Sequence, residues 1–568
     1  MASPFTIPDE FVQGFFKSGQ SLMQALAGVS ATGQAPSVDV PSVSLPQLQA
    51  RYWQQQTALW MGMLANTTGQ AREPVVAPER GDRRFHADEW RDNPWYSALK
   101  ETYLLNARLL DDMVEAADLD AKAKHKARFY ARQFIDFMSP ANFAATNPDA
   151  IKLAFETRGE SVKAGLTNLL DDMKRGRISI TDETAFEVGR NVAVSKGSVV
   201  FENALFQLIQ YAPLTEQVAQ RPLVIVPPCI NKFYVLDLQP DNSFVRFACE
   251  QGQTVFLVSW CNPGAELGKT TWDDYLEQGA MKAIEVAQAI SGADKVNAVG
   301  WCVGGTILAS ALAVLRARGD KSVASMTLLT TMLDFRDPGD LGVFIDEQGV
   351  AQREQAIGQG GIYPGAELGF VFQSLRANDL IWPYVVNNYL KGKSPDAFDL
   401  LYWNGDGTNL PGPMYCWYLR NMYLENKLCV PNRLTMCGTR VDLGSIDMPS
   451  YVLATQDDHI VPWRAAYRST QLVGGKSQFV LGASGHIAGV INPASKNKRS
   501  HWTDGALGDD PEQWLASAQA VPGSWWTHWM NWLKTHAGKP VPARTRLGNP
   551  KHKPIEPAPG RYVKARAS

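Results

Sequence analysis

Cys302 is the residue whose setting in the sequence best suits a nucleophile. It lies in Gly300-Trp301-Cys302-Val303-Gly304, after the apolar run 296–299 and before a helical stretch at 306–312. This order of strand, sharp turn and helix is a nucleophile elbow, with cysteine in the reactive position. A side chain at 300 or 304 would collide with the neighbouring strand or helix. The backbone N–H of Val303, at the start of the helix, is predicted to stabilise an oxyanion; the alternative is a buried core cysteine.

A cysteine nucleophile needs a histidine as base and a carboxylate to orient that histidine. In chains with such an elbow the order is nucleophile, acid, histidine. His486 stands out because it follows an apolar run in a loop of small residues, whereas His459 is given a supporting role at most. Asp457 and Asp458 both fit the acid by position, and either could instead be a turn carboxylate. The other histidines after Cys302 are His501, His528, His536 and His552.

A second oxyanion donor is expected in the loop after the apolar run Leu223–Val226. Pro227 and Pro228 lack N–H groups, so Cys229 and Ile230 provide the first available backbone donors. We take the N–H of Cys229 as the candidate partner of the Val303 N–H.

Composition excludes several classes of protein. The 568 residues are 45% hydrophobic and 20% charged, and 55 basic against 57 acidic residues give a net charge of −2. This balance argues against a nucleic-acid partner. The seven cysteines include no Cys-x-x-Cys pair, so neither a disulfide framework nor a zinc site is predicted. No basic leader and no run of about 18 apolar residues is found, which predicts a cytoplasmic protein without a transmembrane segment.

The chain is predicted to have three parts. Residues 1–80 carry amphipathic helices, including one over 8–29, and a linker; residues 81–185 form a helical N-terminal domain. Residues 186–568 form the catalytic domain, with a cap insertion at about 334–448 whose aromatics form either its own core or a substrate channel. The basic, proline-rich tail at 538–568 is expected to lie solvated along that domain.

Short β-branched runs alternate with helical stretches at 272–291 and 306–318, which predicts a mostly parallel sheet covered by helices on both faces. With the elbow at its centre, this is an α/β-hydrolase fold preceded by a mainly helical domain. The predicted strands are Val192–Val194, Val199–Glu202, Leu223–Val226, Val255–Ser259, Val296–Val299, Met326–Leu329, Tyr451–Thr455 and Gln478–Leu481.

The chain resembles polyhydroxyalkanoate synthases, and its Gly-Trp-Cys-Val-Gly-Gly-Thr box resembles the short-chain class I branch. The resemblance covers about 85–563, and the first 80 residues match weakly. It implies Asp458 as the acid, because the family's aspartate precedes His-Ile-Val-Pro-Trp. Asp237 and Trp403 match family residue types near the site but are left out of the catalytic set. Other matching stretches are Phe186–Asn191, Pro227–Pro240, Thr271–Tyr275, Asn409–Leu428, Asp458–Trp463, Gly485–Pro493 and Gly523–Trp526.

The resemblance implies that (R)-3-hydroxyacyl-CoA units, mainly 3-hydroxybutyryl-CoA, are joined into polyhydroxyalkanoate with release of CoA. It implies an acylated Cys302, no cofactor or metal, a homodimer, and work at the surface of a polyester granule in the cytoplasm. Either His486 or Asp458 is the expected base for the attacking hydroxyl. The alternatives are a thioesterase or depolymerase of the same fold, and a granule-coat protein without catalysis. The cysteine argues against the hydrolases, most of which use serine.

Overall fold

The computed structural model describes residues 45–66 and 73–567 and divides into two compact units. One unit comprises Met1–Asp182 with Phe370–Asp396, and the other comprises Glu183–Gly369 with Ala397–Ser568. The predicted helix over residues 8–29 lies outside the described residues. The segment 370–396, from the predicted cap insertion, is thus part of the first unit. The predicted domain boundaries remain predictions.

The first unit is helical, and local sequence signals explain where its helices begin. The side chains of Asn93, Asp120 and Asn147 each accept a backbone N–H from the first turn of the helix that follows. Two Xaa-Pro pairs coincide with helix ends: one helix ends at Phe137, before Ser139-Pro140, and another starts at Pro148, after Asn147. The helices are Leu45–Asn66, Glu89–Asp92, Pro94–Ala116, Ala121–Phe137, Pro148–Glu156, Glu160–Arg175, Ala377–Leu380 and Trp382–Tyr384, the last continued by a π-helical turn Val385–Leu390.

The second unit is built on an 11-stranded sheet with a parallel centre. The strands of the unit are β1 (Gly197–Glu202), β2 (Phe206–Tyr211), β3 (Gln217–Ala219), β4 (Leu223–Val226), β5 (Val255–Trp260), β6 (Val296–Trp301), β7 (Val323–Leu329), β8 (Ile362–Tyr363), β9 (Leu410–Pro411), β10 (Leu434–Met436), β11 (Thr439–Val441), β12 (Ser450–Thr455), β13 (Ser477–Gly482), β14 (Ser500–Thr503), β15 (Gln519–Pro522), β16 (Pro540–Pro542) and β17 (Glu556–Pro557). In the main sheet the strand order is β15-β14-β13-β12-β7-β6-β4-β5-β2-β1-β17, and the six strands from β13 to β5 run parallel.

Helices connect the parallel strands, as expected for strands that are buried along their whole length. β4, β5 and β6 are buried at every position. The α/β-hydrolase architecture predicted for this part of the chain is confirmed. The α-helices not yet named are Phe244–Glu250, Trp272–Asp274, Lys282–Ser291, Val303–Ala317, Glu347–Ile357, Gly365–Ser374, Asp399–Asn404, Gly412–Tyr418, Trp463–Leu472, Pro511–Ser517 and Trp525–Lys534. A π-helical segment, Tyr275–Met281, joins Trp272–Asp274 to Lys282–Ser291, and a second one, Leu419–Leu424, continues Gly412–Tyr418.

One predicted strand is wrong, and four strands of the main sheet were missed. Val192–Val194 forms only an isolated bridge, because Ala193 has a positive φ of 57° and its N–H donates to the carbonyl of Asp237 rather than to a strand. β2, β14, β15 and β17 have no counterpart in the sequence-based prediction, and neither have the short strands of the small sheets. The other predicted strands are confirmed.

The basic tail at 538–568 lies along the second unit, but it is not solvated throughout. β16 pairs with β3 in a separate two-stranded sheet, and the two-residue β17 adds the outermost antiparallel strand beside β1. Val563 is only 1% exposed and belongs to the main core of the unit. The eight basic side chains of the tail are exposed.

Between β7 and β12 the described chain contributes no strand to the main sheet. β8 pairs with β9 and β10 pairs with β11, each in a small antiparallel sheet. β7 and β12 are neighbours in the main sheet, and the long segment between them is where the sequence predicts the insertion. Its role as a cap remains a prediction. No helix in the described ranges is long and apolar enough to cross a membrane.

Two histidines lie together near one edge of the sheet, the buried His501 on β14 and the half-buried His528 on the helix Trp525–Lys534. His528 lies between Tyr451 Oη, 3.0 Å from its Nδ1, and Thr503 Oγ1, 3.2 Å from its Nε2. Its ring centroid is 5.7 Å from that of His501. Burial lowers the pKa of both imidazoles; the charge of His501 lowers that of His528 further, and Asp504 opposes this weakly.

We expect this pair to make the fold sensitive to acid. Because the folded-state pKa is lowered, the neutral imidazoles contribute stability above the unfolded value of about 6.5, and this stability is lost as pH falls below it. A His528→Gln variant, which keeps an amide able to bond to Tyr451, removes one of these groups. The drop in Tm between pH 7.5 and pH 5.5 should be smaller than in the wild type by at least about 2 °C. Equal drops in the two proteins would contradict this assignment.

Candidate active site

The turn at Cys302 is held in a conformation that few residues adopt. Cys302 has φ 52° and ψ −128°, between the end of β6 and the helix Val303–Ala317. Its N–H donates to the carbonyl of Leu329 on β7 at 2.9 Å, and its own carbonyl accepts from Thr331 Oγ1 at 3.3 Å. A positive φ at a residue with a side chain is strained, and surrounding contacts must impose it.

The glycines around the turn are required by close packing. A Cβ added at Gly300 would lie 2.4 Å from the Cα of Gly305, and one at Gly304 would lie 2.4 Å from the carbonyl oxygen of Val226 on β4. Both collisions expected from the sequence are therefore confirmed. Gly305 was not singled out, yet a Cβ there would lie 2.1 Å from Thr331 Oγ1. The Gly-Gly pair after the cysteine was the available signal.

The structure pairs His486 with Asp458. The His486 Nδ1 lies 2.7 Å from Asp458 Oδ2. The other carboxylate oxygen accepts the N–H groups of Ile460 at 2.9 Å and Val461 at 2.8 Å, and Thr455 Oγ1 donates to Oδ2 at 3.3 Å. These bonds fix the carboxylate, which in turn orients the imidazole. With Nδ1 on the carboxylate, Nε2 is the nitrogen that can exchange a proton with a nucleophile.

His486 is also electrostatically coupled to Cys302. Its exposed fraction is 5%, and burial alone would favour the neutral ring. The pKa of His486 is nevertheless raised above its ordinary value, by the negative charges of Asp458 and Cys302 and by the hydrogen bonds of the imidazole to both side chains. Trp301 also lies beside the imidazole, with ring centroids 6.3 Å apart. The structure therefore brings Cys302, His486 and Asp458 together.

Asp457 and the other candidate histidines are placed differently. Asp457 is exposed, and its N–H donates to the carbonyl of Ser484. His459 is half-buried, while His501 and His528 belong to the separate pair described above. Of the two adjacent aspartates, Asp458 is the one whose carboxylate hydrogen-bonds His486, and its role as the acid remains a prediction.

The loop that carries Cys229 lies against the first turn of the helix after Cys302. A Cβ at Gly304 would be 2.5 Å from the carbonyl oxygen of Pro227, which also accepts Trp260 Nε1 at 2.9 Å. Burial, with a further contribution from the charge of Cys302, raises the pKa of the Cys229 thiol to about 12. The N–H of Val303 lies in the first helical turn, where no carbonyl of its own helix can accept it. The roles of these N–H groups as oxyanion donors remain predictions.

Aromatic side chains from the insertion, together with Trp272, form a cluster near Cys302. Tyr418 and Tyr423 pack edge to face with centroids 5.3 Å apart, Phe335 packs on Tyr423 at 4.9 Å, and Trp272 stacks on Tyr418 at 5.2 Å. Burial raises the pKa of both tyrosines, and the charge of Cys302 adds to it, so both phenols lie near the thiol. The sequence predicted that aromatics of the insertion form its own core or a substrate channel, without identifying which of them lie here.

The two residues left out of the catalytic set have structural contacts. Asp237 accepts from Ser195 Oγ and Ser243 Oγ, both at 2.6 Å, and burial raises its pKa to about 6. The Trp403 Nε1 donates to the carbonyl of Lys232 at 2.6 Å. Asp237 thus joins the segment before β1 to the turn before the helix Phe244–Glu250, and Trp403 supports the end of the Cys229 loop.

The groups available for chemistry are a thiol, an imidazole and a carboxylate. All seven cysteines are free thiols. Across 45–66 and 73–567, no three histidine, cysteine or acidic side chains are grouped so as to hold a metal ion. The arrangement is suited to acyl transfer through a covalent cysteine intermediate.

Two family models match this chain. Residues 81–248 match a model described as the poly-beta-hydroxybutyrate polymerase (PhaC) N-terminus, and residues 222–493 match the alpha/beta hydrolase fold. Among solved structures, a monoacylglycerol lipase from Paleococcus ferrophilus aligns over 58% of this chain and 99% of its own, with 13% identity and a TM-score of 0.34.

Two bacterial relatives are similar to this chain over most of its length. The poly(3-hydroxyalkanoate) polymerase subunit PhaC of Cupriavidus necator is 55% identical over 98% of this chain and 94% of its own. The protein of the same name from Rhizobium meliloti is 42% identical over 90% of this chain and 84% of its own. These matches cover both units and the candidate site, and the chain therefore belongs to the poly(3-hydroxyalkanoate) polymerase family.

Proposed function

We propose that the protein polymerises (R)-3-hydroxyacyl-CoA, mainly the 3-hydroxybutyryl thioester, into polyester with release of CoA, through an acylated Cys302. The observation that carries the proposal is the His486–Asp458 hydrogen bond beside a cysteine at a strained elbow. The names of the relatives support polyester as the product. The presence of cysteine supports acyl transfer over hydrolysis.

In the first step the thiol is acylated. His486 takes the proton of Cys302 at Nε2, and the thiolate attacks the thioester carbonyl of the substrate. The C–S bond to CoA then breaks, and the CoA thiolate recovers the proton from His486. One thioester replaces another, so the acyl-enzyme stays activated at nearly the same free energy. The N–H groups of Val303 and Cys229 would stabilise the oxyanion of the tetrahedral intermediate, which forms when the thiolate attacks and collapses when the C–S bond to CoA breaks.

In the second step a 3-hydroxyl group attacks an acyl thioester, forms the ester bond and releases a thiolate. A base must take the hydroxyl proton. The two oxygens of Asp458 already accept four hydrogen bonds, from Ile460, Val461, Thr455 and His486. This saturation favours His486 as the base, with Asp458 stabilising the imidazolium.

Water must be kept away from the acyl-enzyme, because hydrolysis would end the chain. The aromatic cluster of Trp272, Phe335, Tyr418 and Tyr423 offers a dry cover beside Cys302. Its rings pack on one another, so the cover is a structured layer.

Replacing Cys302 tests the nucleophile and the reaction together. Purified wild type and Cys302→Ser are incubated with 3-hydroxybutyryl-CoA while CoA release is followed and the acyl product is recovered. We expect polymer from wild type and CoA release lowered at least about a thousand-fold in the variant. Cys437→Ser, which alters a half-buried thiol bonded to the carbonyl of Asp273, is the control and should keep full activity. Free 3-hydroxybutyrate from wild type would indicate a thioesterase instead.

An Asp458→Asn variant tests whether Asp458 stabilises the protonated His486 or is itself the base for the attacking hydroxyl. Asp457→Asn, at the exposed neighbouring aspartate, is the control. Losing the charge removes the group that raises the pKa of His486, so CoA release should fall about 10³- to 10⁴-fold. The same fall is expected in single-turnover acylation by butyryl-CoA, which has no 3-hydroxyl group. If acylation by butyryl-CoA persisted while polymerisation stopped, Asp458 would be the direct base for the hydroxyl.

We also propose a homodimer that works at a cytoplasmic granule surface. The helix Leu45–Asn66 buries Leu59 and bonds through Tyr52 Oη to Asn106, while its other face carries Trp53, Trp60 and Met61 at 64–66% exposure. Exposed aromatics at i and i+7 on one helix face suit contact with an apolar polymer.

A Trp53→Ser/Trp60→Ser variant should lose most of its granule-bound fraction when granules are sedimented from cells, while CoA release in solution stays unchanged. Phe155→Ser removes an aromatic that is 81% exposed on a different helix and serves as the control. Equal granule binding by all three proteins would contradict a role for this face.

A further inference from the structure

The loop 227–232, which carries Cys229, needs an anchor at each end. Near β4 the carbonyl of Pro227 is fixed by Trp260 Nε1 and by contact with Gly304. The middle of the loop pairs with the insertion, where the carbonyl of Ile230 accepts the N–H of Thr408 at 2.8 Å. The far end is Lys232, whose exposed fraction is 3%. A buried lysine is rare and must be accounted for by its partners.

The ammonium group of Lys232 is bound by a residue distant in sequence. Its Nζ donates to the backbone carbonyl of Ala565 at 2.6 Å, across 333 positions. Burial lowers the pKa of Lys232, and the nearby carboxylate of Asp406 favours the charged form. Asp406 is itself held by Tyr234 Oη at 3.0 Å. The lysine therefore connects the Cys229 loop to one backbone carbonyl near the end of the described chain.

The segment Tyr562–Arg566 is anchored independently of Lys232. The Arg566 guanidinium donates to Glu183 at 3.0 Å and to Tyr402 Oη at 2.8 Å, and its carbonyl accepts Asn262 Nδ2 at 3.1 Å. Earlier in the segment, Tyr562 Oη donates to the carbonyl of Asn203 at 2.9 Å and Val563 is buried. The carbonyl of Ala565 therefore lies at a fixed position.

We propose that the segment Tyr562–Arg566 is a strap that positions the Cys229 loop for oxyanion binding, and that Lys232 is the positioning residue through which it acts. The proposal rests on the proposed function, in which the Cys229 N–H is a donor to the oxyanion. Lys232 does not touch the reacting atoms. It holds the loop end at the carbonyl of Ala565, while Arg566 holds the strap against Glu183 and Tyr402.

If the loop moves, the Cys229 N–H stabilises the oxyanion less well, while the thiol of Cys302 and the imidazole of His486 stay in place. In Lys232→Met, which keeps the side-chain length and removes the donor, kcat for CoA release should fall about 10²- to 10³-fold with little change in KM. Arg566→Ala should reduce kcat in the same direction, and the double variant should be no slower than the slower single variant. Lys232→Arg and Arg566→Lys, which keep a donor, should recover most of the activity.

A second measurement reports on the thiol without involving an oxyanion: the rate at which iodoacetamide alkylates Cys302, followed by peptide mapping. Alkylation has no oxyanion, so its rate and the Tm should stay at wild-type values in both single variants. An unchanged kcat, an additive double variant, or parallel loss of alkylation and Tm would each overturn the proposal. Failure of the proposed function is distinguishable, because wild type itself would then make no polymer and Cys302→Ser would release CoA at the wild-type rate.

Discussion

The close approach of β6 to the helix Val303–Ala317 is the constraint on which the site depends. The chain reverses between strand and helix with Cys302 at φ 52°, and Gly300 and Gly305 touch where a side chain would prevent contact. Such a conformation costs on the order of 1–3 kcal/mol and must be imposed from outside the turn. β6 supplies this, because it is buried at all six positions and paired in parallel with β4 and β7. The core of the unit thus holds the nucleophile.

The same constraint determines the electrostatics. Placing the thiol at the carboxyl end of the central strand brings it to the edge where the loops after β12 and β13 carry Asp458 and His486. Burial opposes charge there, yet the carboxylate is compensated by backbone N–H groups of its own loop. A buried charge with satisfied hydrogen bonds is stable, and it in turn stabilises a protonated imidazole. The pair therefore stabilises the protonated form of His486.

The sequence predicted those features that depend on neighbours along the chain. The elbow and the parallel centre of the sheet were both accessible from local patterns. β2 was not, because Gln207 and Gln210 interrupt its apolar pattern. Both side chains are buried and bond to the tail, Gln207 to Glu556 and Gln210 to the N–H of Gly548. Their partners lie more than 300 positions away, where no local pattern can indicate them.

The same distinction applies within the candidate site. The turn at Cys302 is specified by a short run of consecutive residues, whereas the contact of Asp458 with His486 is visible only in the structure. The Cys229 loop has no such local definition, since its supports are Trp260, Gly304, Thr408 and, through Lys232, Ala565. A loop held by contacts from four separate segments depends on the fold of the whole unit around it. The position of this loop therefore reports on the whole unit, whereas the thiol can be placed by the elbow and its two neighbouring strands.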